Sequence, residues 1–314
     1  METDRIAGAL TSVCAIVVTR DRRELLTRCL RALDAQTRAV DEIIVVDNAS
    51  SDGTPEIVRA QFPAVDLLAL EVNSGGAGGF NRGIARAHAR GFDWLWLMDD
   101  DTIAEPDALA QLLAGADRAP GGPPLLVCSR VVWTDGSPHP MNAPAIRWRS
   151  GRELAEGANA GLLLVRNATF VSVLIHRSAV DRFGLPHDYF FIWSDDIEFT
   201  DRVLRHERGY LVPGSVAVHW TPTAHRPATP TSTRFYYHAR NFLLLLRGGA
   251  LSPIERVDAG RYYVQTLTEY IRVNWRSPAR MRLLARAIRD GLRRDPRHWH
   301  DPDTGAPMST SPSP

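Results

Sequence analysis

Apolar residues in the first hundred positions fall into short blocks separated by amphipathic stretches. VCAIVV (13–18) is continuous and rich in β-branched residues, as a strand buried on both faces requires. After it, Leu25, Leu26, Cys29, Leu30 and Leu33 repeat at helical spacing. EIIVVD (42–47) predicts a second strand, closed by the turn NASSDGT and followed by a helix around 55–61. VDLLAL (65–70) predicts a third strand, after which the glycine-rich NSGGAGGFNRG leads into a helix over IARAHARG. WLWLM (94–98) predicts a fourth. This alternation predicts an α/β protein with a mostly parallel sheet covered by helices. Such sheets bind ligands beyond the carboxyl ends of their strands, where Thr19, Asp47, Gly75–Gly79 and Asp99–Asp101 all fall.

Beyond APGGPP (119–124) the apolar blocks continue as LLVCSRVVW (125–133), GLLLV and TFVSVLI (161–175), and LVPGSVAVHW (211–220), the last strand expected in the core. From TPTAHRPATPTST (221–233) onward the pattern turns helical. The expected organisation is a catalytic domain over 1–220, a helical region over 221–300 and a Ser/Pro-rich, disordered tail over 301–314.

Composition narrows the class. The 314 residues are 44% hydrophobic and 23% charged, as in ordinary globular proteins, and a net charge of +1 gives no reason to expect nucleic acid. All 37 basic residues are arginine. Cys14, Cys29 and Cys128 form neither a metal spacing nor a disulfide framework, which predicts a reducing, cytoplasmic compartment. The first ten residues lack the apolar block of a signal peptide, and FLLLL (242–246) is far short of the roughly 18 residues of a spanning helix.

The chemistry lies in three places. MDDD ends the fourth strand, so Asp99 and Asp101 point to one side and Asp100 to the other. Carboxylates so placed suit a hard divalent cation, Mg²⁺ or Mn²⁺; the bland reading is a turn in which Asp101 or Thr102 caps a helix starting near Pro106. WSDDIE supplies Trp193, Asp195, Asp196 and Glu198, carboxylates that serve as general bases when burial raises their pKa, or that favour a helix N-terminus. His219, in VHW, stands at a strand end as a third metal ligand. NSGGAGGFNRG lacks both the dinucleotide fingerprint and a P-loop lysine, yet its backbone, at Gly78 and Gly79, suits close approach to a phosphate or sugar, with Arg82 beside it. Near the C-terminus, Met281, Leu284, Ile288 and Leu292 form an apolar stripe bordered by arginine. Three partners stay open for it: an anionic membrane surface, the catalytic domain, or another subunit in a homo-oligomer.

Taken together, VVTRDR, VDNASSDGT, GGFNRG, MDDD, WSDDIE and VHW resemble, in order and spacing, glycosyltransferase family 2, the inverting GT-A enzymes that use nucleotide-sugar donors. The likeness covers residues 11–220. Within the family, NSGGAGGFNRG and YYHARNFLLLLR are similar to the bacterial galactofuranosyltransferases that initiate cell-wall galactan. The resemblance implies transfer of galactofuranose from UDP-galactofuranose to a polyprenyl-diphosphate-linked GlcNAc–rhamnose acceptor, at the inner face of the plasma membrane. By position it implies that Asp47 reads the uracil, with Thr19 nearby, and that Arg82 flanks the diphosphate. Asp99, Asp101 and His219 would hold the metal, with Asp100 toward the ribose. Asp196 would be the base, with Trp193 and Asp195 beside the acceptor. Arg234, Tyr236, Tyr237 and Arg240 are expected to hold the lipid diphosphate. Competing readings are a rhamnosyltransferase using dTDP-rhamnose and a non-catalytic binder of sugar nucleotides, which would have no use for a complete acidic set.

Overall fold

The computed structural model describes residues 11–147, 150–222 and 232–296. Its first half is built as expected: β1 (Val13–Thr19), α1 (Arg23–Asp34), β2 (Glu42–Asp47), α2 (Thr54–Gln61), β3 (Asp66–Ala69), α3 (Gly75–Ala89) and β4 (Trp94–Asp99). These four strands pair in parallel in the order β3-β2-β1-β4. In register, Thr19 faces Asp47 and Val18 faces Asp99, so the three candidate strand ends lie level.

The second half is mixed. It comprises β5 (Thr102–Ala104), α4 (Ala108–Asp117), β6 (Leu126–Val132), α5 (Gly151–Asn159), β7 (Leu163–Val165), β8 (Val173–His176), α6 (Arg177–Phe183), α7 (Asp195–Leu204) and β9 (Gly209–His219). The sheet continues from β4 through β8, β6 and β9 to β5, and β7 shares the outer side of β9. The β5–β9 pair is antiparallel and sets His219 opposite Thr102. That register brings the histidine beside the aspartates across more than a hundred residues of chain.

Alternating side chains of β1 supply two cores, one on each face of the sheet. Val13, Ala15 and Val17 pack with Leu26, Leu30, Trp96 and Leu109 on one face. Cys14, Ile16 and Val18 pack with Phe80, Ile84, Phe199 and Val203 on the other. Each such large side chain contributes about 1.5–3 kcal/mol on full burial.

Two expectations are corrected here. The glycine-rich stretch is the first half of α3 rather than a loop. A Cβ at Gly79 would lie 2.5 Å from Val18 Cγ1, and one at Gly83 would lie 2.5 Å from Ile16 Cγ2. The glycines therefore let the helix press onto β1. The capping reading of MDDD also fails, since Thr102 begins a strand and α4 starts only at Ala108.

Helices α8 (Phe235–Arg247), α9 (Pro253–Asn274) and α10 (Pro278–Arg293) complete the described chain. Phe235, Ala239, Tyr270, Leu284 and Ala287 form their common core, with Met281 and Ile288 packed against it. The apolar stripe of α10 is thus turned inward; of its four residues only Leu292 is exposed. That stripe is not a free membrane face. Among the described residues no helix is long and apolar enough to cross a membrane. The tail over 301–314 lies outside the described residues.

Arg166 ties this helical region to the sheet. It is buried, donates to Asp201 O at 2.7 Å and Ala250 O at 2.9 Å, and pairs with Asp201 and Glu255. Glu255 also closes the capping box of α9 with Ser252.

Candidate active site

At the end of β4 the chain runs straight from Asp99 into β5, which holds Asp100 and Asp101 in a buried two-residue step. Asp100 accepts from Thr19 Oγ1 at 2.8 Å and from Arg22 Nη1 at 3.2 Å. Asp101 accepts from the same Arg22 Nη1 at 2.5 Å. The aspartates therefore do not separate as cleanly as strand alternation suggests: one guanidinium bridges two of them. Burial, reinforced by the charges of Asp101 and Asp100, pushes the Asp99 carboxyl well above its usual range. Burial also lifts Asp100 to about 6 despite Arg22.

Donor atoms of Asp99, Asp101 and His219 lie within 4.8 Å of one another. His219 Nδ1 sits 2.8 Å from Asn142 Oδ1, while Asn142 Nδ2 is directed to Thr169 Oγ1. Nδ1 is then the donor, and in the neutral ring Nε2 carries the lone pair. Nε2 lies 3.1 Å from Asp101 Oδ1, at ion-pair distance, yet that buried oxygen has no hydrogen bond of acceptable direction. Two electron-rich atoms facing each other beside a second carboxylate are a donor set for Mn²⁺ or Mg²⁺. The residues fit such an ion. His139, fully buried, packs its ring 4.7 Å from that of His219 and is held to Thr221 Oγ1 at 3.0 Å.

The second acidic cluster is presented by an unusual turn. Phe191, Trp193 and Ser194 all have positive φ, between 65° and 69°, costing of order 1–3 kcal/mol each unless the surroundings hold them. Helix α8 supplies the hold. Asn241 Nδ2 lies 2.8–2.9 Å from the carbonyl oxygens of Phe190, Ile192 and Trp193. Arg240 donates to the carbonyls of Tyr189 and Phe190 at 2.8 and 2.7 Å. Gly75, at φ +73°, is needed because a Cβ there would strike Phe191 O. The turn delivers Asp195 and Asp196 to the N-terminus of α7. Burial raises both carboxyls, and at Asp195 the charge of Asp196 adds to it. The charge of Asp195 adds to the rise at Asp99, which puts Asp195 within electrostatic reach of the first cluster, while Asp196 Oδ1 accepts from Ile197 N at 2.8 Å.

Of the remaining expected residues, Asp47 is buried at the end of β2; its Oδ2 accepts from Ser50 N at 3.1 Å and its Oδ1 has no partner. Thr19 is spent on Asp100. Gly78 and Gly79 lie inside α3, with Gly79 against Val18, so no open backbone is offered there. Arg82, half-buried, reaches back to Gly78 O at 3.3 Å. Trp193 is half-buried within the turn. Arg234, Tyr236 and Tyr237 line a cleft of about 300 Å³ with Arg286. Tyr237 stacks on Phe191, and Tyr236 donates to Asp290 at 2.8 Å. Arg240 stands behind them: its guanidinium lies 5.5 and 5.2 Å from the ring centroids of Tyr236 and Tyr237 while its N–H groups are donated to the turn. Glu198 is likewise unavailable as a base: Arg202, at 2.9 Å, and His187 outweigh its burial and hold its carboxyl low.

Sequence reasoning missed Arg22, His139, Asn142 and Asn241. It also missed Trp133 and Trp220, which with Arg22, Leu25 and Asp101 line a cleft of about 440 Å³. Arg22 falls in VVTRDR, Trp220 in VHW and Asn241 in YYHARNFLLLLR, so the signal for these three was a place inside a motif whose other residues were read.

A family model described as "Glycosyl transferase family 2" matches residues 14–184, a stretch that includes the three aspartates and stops short of Asp195. The galactofuranosyltransferase GlfT1 of Mycobacterium tuberculosis is 38% identical over 202 residues, covering 62% of this chain and 65% of that protein. The chain thus spans just under two thirds of that relative. The N-acetylglucosaminyl-diphospho-decaprenol L-rhamnosyltransferase of the same organism is 25% identical over 271 residues, covering 74% of this chain and 86% of the other. Among solved structures, S. aureus TarS 1–349 in complex with UDP-GlcNAc superposes with a TM-score of 0.57 at 15% identity, covering 90% of this chain and 80% of that one. At that identity the likeness concerns the fold.

Proposed function

This chain belongs to glycosyltransferase family 2, and from that premise we propose that it transfers galactofuranose from UDP-galactofuranose to a polyprenyl-diphosphate-linked GlcNAc–rhamnose acceptor, with inversion. The observation that carries a transferase reading is the cluster of Asp99, Asp101 and His219, with the raised carboxyl of Asp195 acting on Asp99. The choice of sugar is supported by the 38% identity to the galactofuranosyltransferase GlfT1.

Asp47 Oδ1, buried and unpaired, is an acceptor suited to the uracil N–H, and TarS, of similar fold, binds UDP-GlcNAc. Asp99, Asp101 and His219 would hold Mn²⁺ or Mg²⁺, which when bound offsets negative charge on the departing diphosphate. Arg22 is placed to move its charge from Asp100 and Asp101 to that diphosphate. Asp196 takes the proton from the acceptor hydroxyl as its oxygen bonds to the anomeric carbon and the bond to UDP breaks. Asp195 keeps the pair's combined affinity for protons high. Asp100, held by Thr19, lies toward the ribose. The cleft of Arg234, Tyr236, Tyr237 and Arg286 would take the acceptor's diphosphate, and Trp193, in the turn that precedes the base, would meet its sugar. Turnover by this route takes place at the inner face of the plasma membrane.

A donor screen tests the reading. With Mn²⁺ and a synthetic lipid acceptor, UDP release is expected from UDP-galactofuranose and no transfer from dTDP-rhamnose. The reverse preference would move the chain to the rhamnosyl reading that the second relative suggests. Failure with both donors would leave the non-catalytic binder.

A further inference from the structure

Helix α9 is 22 residues long, about 33 Å, and only one side of it is covered. Tyr263, Tyr270 and Asn274 face inward. On the outer side Ile254, Val257, Arg261, Val264, Thr268, Ile271 and Trp275 recur at alternating steps of three and four. All seven are exposed, the five apolar ones between 41% and 62%. A step of 3.5 residues draws a narrow seam along the helix axis, which is what a second helix packs against. A helix resting on an anionic bilayer shows instead a broad apolar face bordered by basic residues. Here the flank next to the seam reads Asp258, Gln265, Arg272 at steps of seven, carrying both signs of charge.

We propose that α9 is a self-association surface, and that its occupant is α9 of a second copy of this chain, running antiparallel. The flank carries the argument. Its acidic residue stands seven positions before Gln265 and its basic residue seven after, so a two-fold axis near Gln265 sets Asp258 of each copy beside Arg272 of the other. A parallel pair leaves those charges unmatched. Neither residue has an ion-pair or hydrogen-bond partner among the described residues of its own chain. Arg261 and Thr268 interrupt the apolar seam, which weakens the pair and fixes its alignment.

Sedimentation velocity of the full-length protein across the micromolar range tests this. The expected result is a shift from monomer to twice the monomer mass as concentration rises. Val264→Glu and Ile271→Glu should stay monomeric with unchanged melting temperatures. Asp258→Arg should weaken association about tenfold by setting like charges opposite each other, and adding Arg272→Asp should restore it. A wild-type protein that stays monomeric throughout, or a Val264→Glu variant that still doubles in mass, overturns the proposal. So does a double variant no tighter than the single one. Loss of flotation with phosphatidylglycerol vesicles in Val264→Glu, without any wild-type dimer, would assign the seam to a membrane.

Discussion

Asp195 and Asp196 are carboxylates pushed toward the neutral form by burial, and a general base must be ionised to act. Their folded pKa values are raised, so the active form accumulates only as pH climbs past them. The kcat/KM profile should therefore rise along a limb lying above the ordinary carboxylate value of 3.8. Asp196→Asn should lower turnover by about 10²–10⁴-fold while UDP binding persists, and the residual rate should lose that limb. Near-normal turnover in this variant, measured by UDP release, would remove Asp196 from its assigned role. Asn241 acts one step back. Asn241→Ala releases the carbonyls of Ile192 and Trp193, each costing about 1–3 kcal/mol if left buried and unpaired, while Phe190 O keeps Arg240. Turnover should fall at least as much as stability allows the assay to follow, with UDP affinity unchanged and faster hydrogen exchange over 190–194. Equal exchange in variant and wild type would show that the turn holds itself. The aspartates were legible in the sequence because acidic runs at strand ends are anomalous. Asn142 and Asn241 were not, since a single asparagine carries no periodicity and its partners are backbone atoms distant in sequence.

At the scale of elements, the parallel half of the sheet was legible almost to the residue. Buried strands read as continuous apolar runs, and β2 begins and ends where EIIVVD does. Helix α3 was not, because each glycine costs a helix about 1 kcal/mol relative to alanine, and a glycine-rich stretch reads as loop. Packing onto β1 overrides that preference. Gly83→Ala should accordingly destabilise the fold by about 1–3 kcal/mol in urea unfolding, despite its better helix propensity, because Ile16 has to move. A stabilised variant would mean that α3 is free to shift outward. Strand β5, three residues long, is too short to read from any pattern, yet it fixes His219. Helix α9 gives a pH prediction. Burial would raise Glu255, but Arg166 and the capping contacts outweigh it and hold its carboxyl at about 2, against an ordinary 4.5. A depressed carboxylate stabilises fully above 4.5 and loses that contribution as pH falls toward 2. Glu255→Gln should thus cost on the order of 1–2 kcal/mol at neutral pH, allowing for partial exposure, and much less near pH 3. Melts of both proteins at the two pH values check this; a pH-independent difference would contradict it.

For the molecule as a whole, the cost of crowding the carboxylates of Asp99, Asp100 and Asp101 together in buried surroundings should be relieved by a divalent ion. Mn²⁺ at about 100 times its dissociation constant adds about 2.7 kcal/mol to folding, and the melting temperature should rise by several degrees. EDTA should reverse the rise and Asp101→Asn should abolish it; an unaltered shift in that variant would place the ion elsewhere. The division at residue 220 was read from a change in periodicity; α8, α9 and α10 share one apolar cluster, and Leu244 of α8 joins Ala77 and Phe190 in another. What periodicity cannot register is that α8 reaches back through Arg240 and Asn241 to hold the turn before Asp195. That reach has a consequence for building hybrids of this protein. Grafting foreign C-terminal helices at residue 220, in the hope of changing the acceptor, would part the FIWS turn from the arginine–asparagine pair that shapes it. The exchangeable unit is therefore the turn and helix α8 together, and a graft that respects it would have to cut on either side of both.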